Sequence, residues 1–396
     1  MKREPHAGRP VADFFEAYTR DLKAEDLQRL FTRETKEAYR FFTRQIDVSV
    51  LDGLPWHRRA LAHLRLLFLA FTLKLSPARR IVYGASLLLA ALGLFSLFRS
   101  SRLIEAPMGR VTIIVPGLVL PEGTGLFIIA FALMNLLVLL EVADRLSLKN
   151  DLEIAREIQQ AMLPSGLYRG PGVETVGLSR PANTVGGDFY DILPLEDHRV
   201  AIAVGDVAGK GSPAALLMAL LLAMMRTLVD ERLEPAELVT RLNVQVSRHA
   251  PGTRFITLFY GVYDAMSGEL TYVNAGHMPP LLLRADERME RLSEGGMALG
   301  MFDHATYVTG RARLDADELL AIYSDGITEA ENPSGRPFDE QGLESALLGN
   351  RHQSLSTIGT AVVRAVEKHT ADTKLADDLT ILLLRRCTID PITIGV

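Results

Sequence analysis

Four short segments of this sequence each place an aspartate beside glycine or at the end of an apolar run: VGGDFYD (185–191), VGDVAGKG (204–211), IYSDGITEA (322–330) and ADDLTILLL (376–384). A strand end is a rigid mount from which a side chain projects into a cleft, and neighbouring glycines let the backbone approach a ligand. Carboxylates that converge on one cleft repel one another by several kcal/mol at about 4 Å. Bound cations remove that repulsion, so the pattern predicts a cation site.

The ligand chemistry narrows the choice of ion. All-oxygen ligation suits Mg²⁺ or Mn²⁺ rather than Zn²⁺, because the sequence has no Cys or His cluster at ligand spacing. Two such cations about 3.5–4 Å apart can share a water and lower its pKa, which prepares it to attack a phosphate. Taken singly, each segment has an ordinary alternative, since SDG is typical of a turn and Asp206 could cap a helix near Ser212. The four segments together carry the inference.

The elements that must position these aspartates alternate between apolar strand-like runs and helical runs. Strands are predicted at 200–204, 255–263, 270–274, 319–323 and 379–384, and helices at 213–229, 235–249 and 354–368. Several strands precede and follow a helical pair without strict βαβ alternation. This order predicts an α+β layered domain, which we place at 165–390, rather than a doubly wound parallel sheet.

The N-terminal part has a different texture. Residues 1–80 read as a helical cytoplasmic segment, and two 18-residue runs without charge, 81–98 and 123–140, predict two transmembrane helices within 81–142. Six Lys or Arg and no acidic residue lie in 57–80, against three Arg and two Glu in 99–122. The positive-inside rule then puts the N-terminus in the cytoplasm. The alternative is two buried helices of a soluble domain, and 111–121 either extends the second span or forms a turn.

Residues 143–164 are predicted to form a linker or switch helix. Leu148, Leu152, Ala155 and Met162 lie on one stripe, which fits either a two-helix seam or an amphipathic helix packed on its own domain. The net charge of −5 and the lack of a dominant basic block give no reason to expect nucleic-acid binding. The one cysteine, Cys387, is interpreted as structural.

The aspartate segments resemble the signature of the PPM-type serine/threonine phosphatases, and in particular their SpoIIE-like, RsbU-type branch. The resemblance runs over about 155–384 and includes AREIQQAMLP (155–164), RPANTVGGDFYD (180–191), GDVAGKGSPAAL (205–216), TLFYGVYDAMSGELTYVNAGHMPP (257–280), GGMALG (295–300), YSDGITEA (323–330) and DDLT (377–380). It implies a β-sandwich flanked by helices, with a site for two divalent cations, Mn²⁺ or Mg²⁺, at one end.

The resemblance also implies roles for individual residues. The metal ligands are Asp188, Asp206 as the bridging residue, the backbone carbonyl of Val207, Asp325 and Asp377, and catalysis centres on Asp188 and Asp206. Several other positions keep two interpretations: Asp378 stands where the wider superfamily often has Asn, Asp191 is supporting or structural, His277 is a general acid or a strand-end residue, and Lys210 and Arg180 contact phosphate or solvent.

The implied activity is hydrolysis of phosphoserine or phosphothreonine on a protein, with a phosphorylated STAS-type anti-sigma-factor antagonist as substrate. The chain is expected to be a two-pass protein of the cytoplasmic (inner) membrane, with its N-terminus and catalytic domain in the cytoplasm, and to form a homodimer through the linker helix. Two other classes stay open. An inactive binding module would have lost its metal aspartates, whereas all four are present. A nucleotide phosphatase is another two-metal hydrolase, but no base-binding motif supports it.

Overall fold

The computed structural model of the chain describes residues 55, 62, 65, 68, 72, 75–99, 103–108, 111–116, 123–250, 254–371 and 375–387. Within it the chain divides into two compact units, Met1–Arg145 and Leu146–Val396. Most of the helical cytoplasmic segment predicted at 1–80 lies outside the described residues. The finer domain boundaries given above stay predictions.

The first unit contains a pair of strands between two helices. Its elements are α1 (Pro77–Arg99), β1 (Leu103–Met108), β2 (Val111–Pro116) and the beginning of α2 (Thr124–Met162). The two strands pair antiparallel, so 111–116 is not an extension of the second helix. The run VTIIVP is rich in β-branched residues and ends in proline, a composition that favours a short strand. The prediction for 81–142, an all-α membrane hairpin of two transmembrane helices, did not include these strands.

Three helices in the described part of the chain are long and apolar enough to cross a membrane: Pro77–Ser96, Thr124–Met162 and Ser212–Val229. The first two contain most of the runs predicted as spans. The third has one face in a hydrophobic core, where Leu217, Leu221 and Met225 are buried. We therefore treat Ser212–Val229 as a core helix of the second unit.

The second unit is built from twelve strands and five helices, together with the end of α2, among the described residues. Its strands are β3 (Leu167–Gly170), β4 (Val173–Arg180), β5 (Phe189–Pro194), β6 (Arg199–Val207), β7 (Ile256–Asp264), β8 (Glu269–Ala275), β9 (Leu281–Leu283), β10 (Met289–Arg291), β11 (Gly295–Gly296), β12 (Gly310–Arg313), β13 (Leu319–Tyr323) and β14 (Leu379–Arg386). Its helices are α3 (Ser212–Val229), α4 (Pro235–His249), α5 (Asp325–Thr328), α6 (Asp339–Asn350) and α7 (Leu355–Thr370).

The strands form two sheets that pack face to face. One has the order β10-β9-β13-β14-β4-β3, and the other has the order β11-β8-β7-β6-β5, with β12 paired to β8. Helices α3 and α4 cover the outer face of the second sheet, and α6 and α7 cover the outer face of the first. The result is a four-layer sandwich of helices, sheet, sheet and helices, which confirms the predicted α+β class.

The strands are apolar on both faces because each sheet lies between two layers. In β6, Ile202 and Val204 point into the core between the sheets, whereas Ala201 and Ala203 face the layer of α3 and α4. The small alanines leave room for the helices, and the branched side chains fill the space between the sheets. This double burial fixes the strands firmly, so the residues at their ends have rigid supports.

The C-terminal turns of α2 belong to the second unit and pack against the rest of it. Gln159 is buried, Leu152, Ala155 and Met162 are half-buried, and Met162 packs against the hydrophobic core beside α3. From Leu152 onward the predicted seam stripe therefore faces its own unit, as the amphipathic-helix alternative required. A different pair on α2, Ile154 and Ile158, is exposed.

Candidate active site

The predicted metal aspartates lie at strand ends of both sheets. Asp188 directly precedes β5, and Asp206 is the second-last residue of β6, whose Gly205 pairs with Phe189 across the antiparallel ladder. In the other sheet, Asp325 begins α5 just after β13, and Asp377 and Asp378 lead into β14. In a pair of neighbouring antiparallel strands, one strand ends where the next one starts. Each sheet therefore places its aspartates together at one end of its strands.

Asp378 connects the strand ends of the two sheets through hydrogen bonds. Its Oδ1 accepts the N–H of Ala182 at 2.7 Å, and its Oδ2 accepts the N–H of Gly187 at 2.7 Å. Its own carbonyl accepts the hydroxyl of Ser324 at 3.3 Å, next to Asp325. The buried Asp378 therefore holds the loop that carries Asp188 against the strand ends of the opposite sheet. This is a positioning function, and it explains why a carboxylate stands here.

Asp188, Asp206 and Asp325 lie in a poorly solvated space, and the pKa of each is raised. Burial, followed by the charge of Asp206, raises the pKa of Asp188 well above its ordinary range. Hydrogen bonds from Ser324 and Thr380 act in the opposite direction and lower this pKa. Burial and then the charge of Asp325 raise the pKa of Asp206 to about 6. The pKa of Asp325 is also raised, first by burial. The structure thus brings together the four aspartates singled out in the sequence.

Several features of this cluster fit divalent cations. Asp188 Oδ2 is buried and has no hydrogen-bond partner, a costly arrangement for an anion unless a cation faces it. A Cβ added at Gly187 would lie 2.9 Å from the Val207 carbonyl oxygen and 3.1 Å from Asp206 Oδ1, so the missing side chain leaves a hollow lined by oxygens. The donors are all oxygen, as Mg²⁺ and Mn²⁺ prefer.

The protein does not provide a complete ligand set by itself. Among the described residues, no group of three His, Cys, Asp or Glu side chains is close enough together to hold one ion. This agrees with a site in which water completes the coordination, because Mg²⁺ usually keeps several waters and is bound through one or two carboxylates. The assignment of Asp188, Asp206, Val207, Asp325 and Asp377 as ligands stays a prediction.

His277 follows β8 and is buried close to Asp206. Its Nδ1 lies 3.0 Å from Thr257 Oγ1, and Thr257 is the β7 residue that pairs with Asp206. Its backbone N–H donates to Asn274 Oδ1 at 2.7 Å. Burial lowers the pKa of His277 to about 4, so the ring is neutral at pH 7. This supports the strand-end interpretation of His277 over a general acid.

The end of α2 contacts the chain before Asp188 directly and is linked to the chain after it through Arg226. The Gln159 side chain donates to the Gly186 carbonyl at 2.8 Å and accepts the Gly186 N–H at 3.1 Å. Arg226 of α3 donates to both oxygens of the buried Asp191, at 2.7 and 3.1 Å, and to the carbonyl of Met162 at 2.6 Å. Asp191 is thus one half of a bidentate ion pair and lies outside the carboxylate cluster.

The two cations considered in the sequence differ in position. Lys210 Nζ donates to Asp377 Oδ2 at 2.8 Å and to the Ala376 carbonyl at 2.7 Å, so it lies at the cluster. Arg180 forms an ion pair with Glu367 of α7 instead. A role of Arg180 in binding phosphate therefore has no support in this geometry.

Sequence reasoning missed three residues of this region: Gln159, Arg226 and Ser324. A signal for Gln159 was present, because it is a polar residue at position i+4 from Ala155, on the same apolar stripe. Ser324 directly precedes Asp325, but nothing in the sequence distinguishes its hydroxyl from that of an ordinary turn residue. Arg226 lies on an apolar helix and gives no local sign that Asp191 is its partner.

Comparison with known proteins agrees with this geometry. The second unit is similar to the SiaA-PP2C domain of Pseudomonas aeruginosa, with a TM-score of 0.55 and 23% identity, over 62% of this chain and 99% of that structure. The sandwich is therefore a PP2C-type phosphatase fold. Residues 196–387 match the profile of the family described as Stage II sporulation protein E (SpoIIE).

Curated relatives match over somewhat more than half of the chain. Protein IcfG of Synechocystis is 32% identical over 237 residues, which are 53% of this chain and 37% of that protein. Phosphoserine phosphatase RsbU of Bacillus subtilis is 28% identical over 243 residues, which are 60% of this chain and 71% of that protein. The match thus spans little more than a third of the length of IcfG.

Proposed function

We propose that this protein is a metal-dependent serine/threonine phosphatase that hydrolyses phosphoserine or phosphothreonine on another protein. The observation that carries the proposal is the group of mutually destabilising aspartates at one end of a PP2C-type sandwich, with one buried carboxylate oxygen left unpaired. The names of RsbU and of RsbP, both phosphoserine phosphatases of Bacillus subtilis, support the reaction class.

The chain's own residues would act as ligands and supports. Asp188, Asp206, Asp325, Asp377 and the Val207 carbonyl would hold two Mn²⁺ or Mg²⁺ ions. Bound cations of this kind neutralise charge on phosphoryl oxygens and make a water more acidic. Asp378 and the buried β-strand ends keep the ligands in place, so little reorganisation is needed when the substrate arrives.

A phosphocysteine intermediate is disfavoured by the position of the single cysteine. Cys387 follows the last residue of β14, whereas Asp377 and Asp378 precede the first. Nine residue steps separate Cys387 from Asp378, a distance of roughly 30 Å at about 3.3 Å per residue. Cys387 cannot reach a phosphate held by the aspartates, so direct attack by water is the reaction we propose.

We further propose a two-pass protein of the cytoplasmic membrane whose N-terminus and catalytic unit lie in the cytoplasm. The apolar helices α1 and α2 and the excess of Lys and Arg in 57–80 support this topology. The proposed substrate is a phosphorylated STAS-type anti-sigma-factor antagonist, by analogy with the RsbU-type relatives. The proposed homodimer would use the exposed Ile154 and Ile158 of α2 instead of the stripe that packs on the second unit.

The experiment uses the full-length chain in detergent with Mn²⁺. Release of phosphate from phosphorylated STAS-domain proteins is compared with release from nucleoside triphosphates and monophosphates. Asp206→Ala is expected to abolish turnover, whereas the control Asp230→Ala, at an exposed position after α3, is expected to keep it. Preference for nucleotides would instead make the chain a nucleotide phosphatase. Full activity of Asp206→Ala would disprove the site.

A further inference from the structure

Lys210 contacts the candidate site in a way that the proposed function leaves unexplained. It lies in the loop between β6 and α3, between two glycines with positive φ, Gly209 at 107° and Gly211 at 77°. Its ammonium donates to Asp377 Oδ2 at 2.8 Å and to the carbonyl of Ala376 at 2.7 Å. Within the described residues, it forms the one ion pair to any of the four candidate metal aspartates.

Both oxygens of Asp377 are already engaged. Oδ2 accepts the Lys210 ammonium, and Oδ1 accepts the backbone N–H of Asp378 at 2.9 Å. A divalent cation that binds Asp377 must therefore compete with Lys210 for this carboxylate. The side chains of Lys210 and Asp377 are 55% and 50% exposed, so the pair is open to solvent and is easily separated.

A displaced Lys210 would stay at the entrance of the site. Its flexible stem and three N–H donors suit a phosphate as a point charge, and positive φ values at both neighbouring glycines mark a loop whose path depends on glycine. The doubly charged phosphate of a phosphoserine must approach the same group of aspartates. With divalent cations on the aspartates, a lysine released from Asp377 would offer this phosphate one further positive charge.

We propose that Lys210 is a catalytic residue with two alternating partners. It pairs with Asp377 when the cation site is empty, and it moves to a phosphoryl oxygen of the substrate when cations occupy the aspartates. This inference rests on the proposed phosphatase function. It predicts an effect that a structural lysine does not produce, because removal of the ammonium should strengthen cation binding while it weakens phosphate binding.

The test compares wild type, Lys210→Met, Lys210→Arg and a control, Lys368→Met, as full-length chains in detergent. Lys368 is an exposed lysine on α7. Calorimetric titration gives the Mn²⁺ affinity without turnover, and inhibition by inorganic phosphate at saturating Mn²⁺ gives the phosphate affinity. The Lys210→Met protein should bind Mn²⁺ about 3- to 10-fold more tightly, because one competing cation is lost.

The same Lys210→Met protein should show a phosphate inhibition constant about 10-fold higher and a kcat/KM about 10- to 100-fold lower. Lys210→Arg should recover most of the phosphate affinity, and Lys368→Met should match wild type. Weaker Mn²⁺ binding in Lys210→Met, or an unchanged phosphate inhibition constant, would overturn this inference alone. A wild-type protein that releases no phosphate with Mn²⁺ would instead refute the proposed function.

Discussion

The carboxylates at the two ends of strand β13 have opposite electrostatic environments. Glu318, just before the strand, is buried and paired with Arg284 at 2.9 Å, and it also accepts the N–H of Asp315 at 2.9 Å. Asp325, just after the strand, faces other carboxylates, and burial and neighbouring charges raise its pKa. The structural carboxylate is paired with an arginine, whereas the carboxylates at the other end of the strand are available to bind a ligand.

Buried aspartates in the second sheet show the same contrast. Asp191 forms a bidentate pair with Arg226, but Asp188, three residues earlier, has a buried oxygen without a partner. Both residues are almost inaccessible to solvent. Among the described residues, no cationic side chain forms an ion pair with Asp188, and this difference distinguishes the two carboxylates more clearly than burial does.

The largest effect is expected from Asp188→Asn. Loss of this charge should lower turnover by about 10³-fold or more, because one of the proposed cation ligands is removed. The metal-free variant should nevertheless be more stable than wild type at pH 7.5, by about 1–2 kcal/mol, because a buried charge without a partner has been neutralised. Urea unfolding in EDTA measures this gain. A loss of stability would contradict the contrast.

The opposite result is expected at the other end of the strand. Arg284→Met leaves Glu318 charged and buried, so the unfolding free energy should fall by about 2–4 kcal/mol. Turnover per folded molecule should be unchanged, because Arg284 does not contact the aspartates at the other end of β13. Parallel unfolding and activity assays at 20 °C would check both statements. A large loss of kcat in a folded variant would show that the two ends are not independent.

His277 should give the site end an additional pH dependence. Its folded pKa of about 4 lies below the ordinary value of 6.5, so its contribution to stability is complete above pH 6.5 and is lost as the pH falls. Between pH 6.5 and 5 the loss should be about 2 kcal/mol. The pKa of Asp188 in the folded state is raised instead. The metal-free fold therefore loses stability through Asp188 as the pH rises above the ordinary pKa of an aspartate.

A His277→Gln variant separates these two opposing effects. The unfolding free energy of the metal-free variant should no longer fall through the titration of His277. The difference in unfolding free energy between wild type and variant should therefore shrink as the pH is lowered from 6.5 to 5. Equilibrium unfolding at half-unit pH intervals in EDTA provides the curve. If wild type and variant run parallel throughout, His277 is not held neutral by the fold.

The smallest effect is expected from Asp378→Asn. The amide keeps the shape of the carboxylate but replaces one acceptor oxygen with a donor that faces a backbone N–H, which should cost about 1–2 kcal/mol. Misplacement of the Asp188 loop should lower turnover about tenfold without removing a ligand. Thermal unfolding and Mn²⁺-saturated kinetics test this. An effect as large as that of Asp188→Asn would make Asp378 a ligand.

Sequence reasoning predicted the strongly periodic elements and the four aspartates, because strands buried on both faces read as apolar runs and each aspartate follows or precedes one. It could not predict the short strands β9 to β12, where two to four residues give no period. The hairpin of β1 and β2, which lies between two apolar helices, was not predicted either. Helix α6 was not predicted because Gly342 and Gly349 interrupt its helical pattern.

The partners of the aspartates were beyond reach of the sequence for a different reason. Arg226 meets Asp191 across 35 positions, and Lys210 meets Asp377 across 167. No local pattern encodes a contact of that range. A lone histidine in NAGH likewise does not reveal its burial, so the choice between general acid and strand-end residue required the fold.

Calorimetric titration of the metal-free, full-length chain with Mn²⁺ measures directly whether the aspartates hold cations. Two ions should bind to each wild-type chain, and Asp188→Asn should lose at least one of them, while Glu318→Gln should retain both. A wild-type chain that binds no Mn²⁺, or an Asp188→Asn chain that binds it with unchanged stoichiometry and affinity, would contradict the claim that these unpaired carboxylates exist to hold cations.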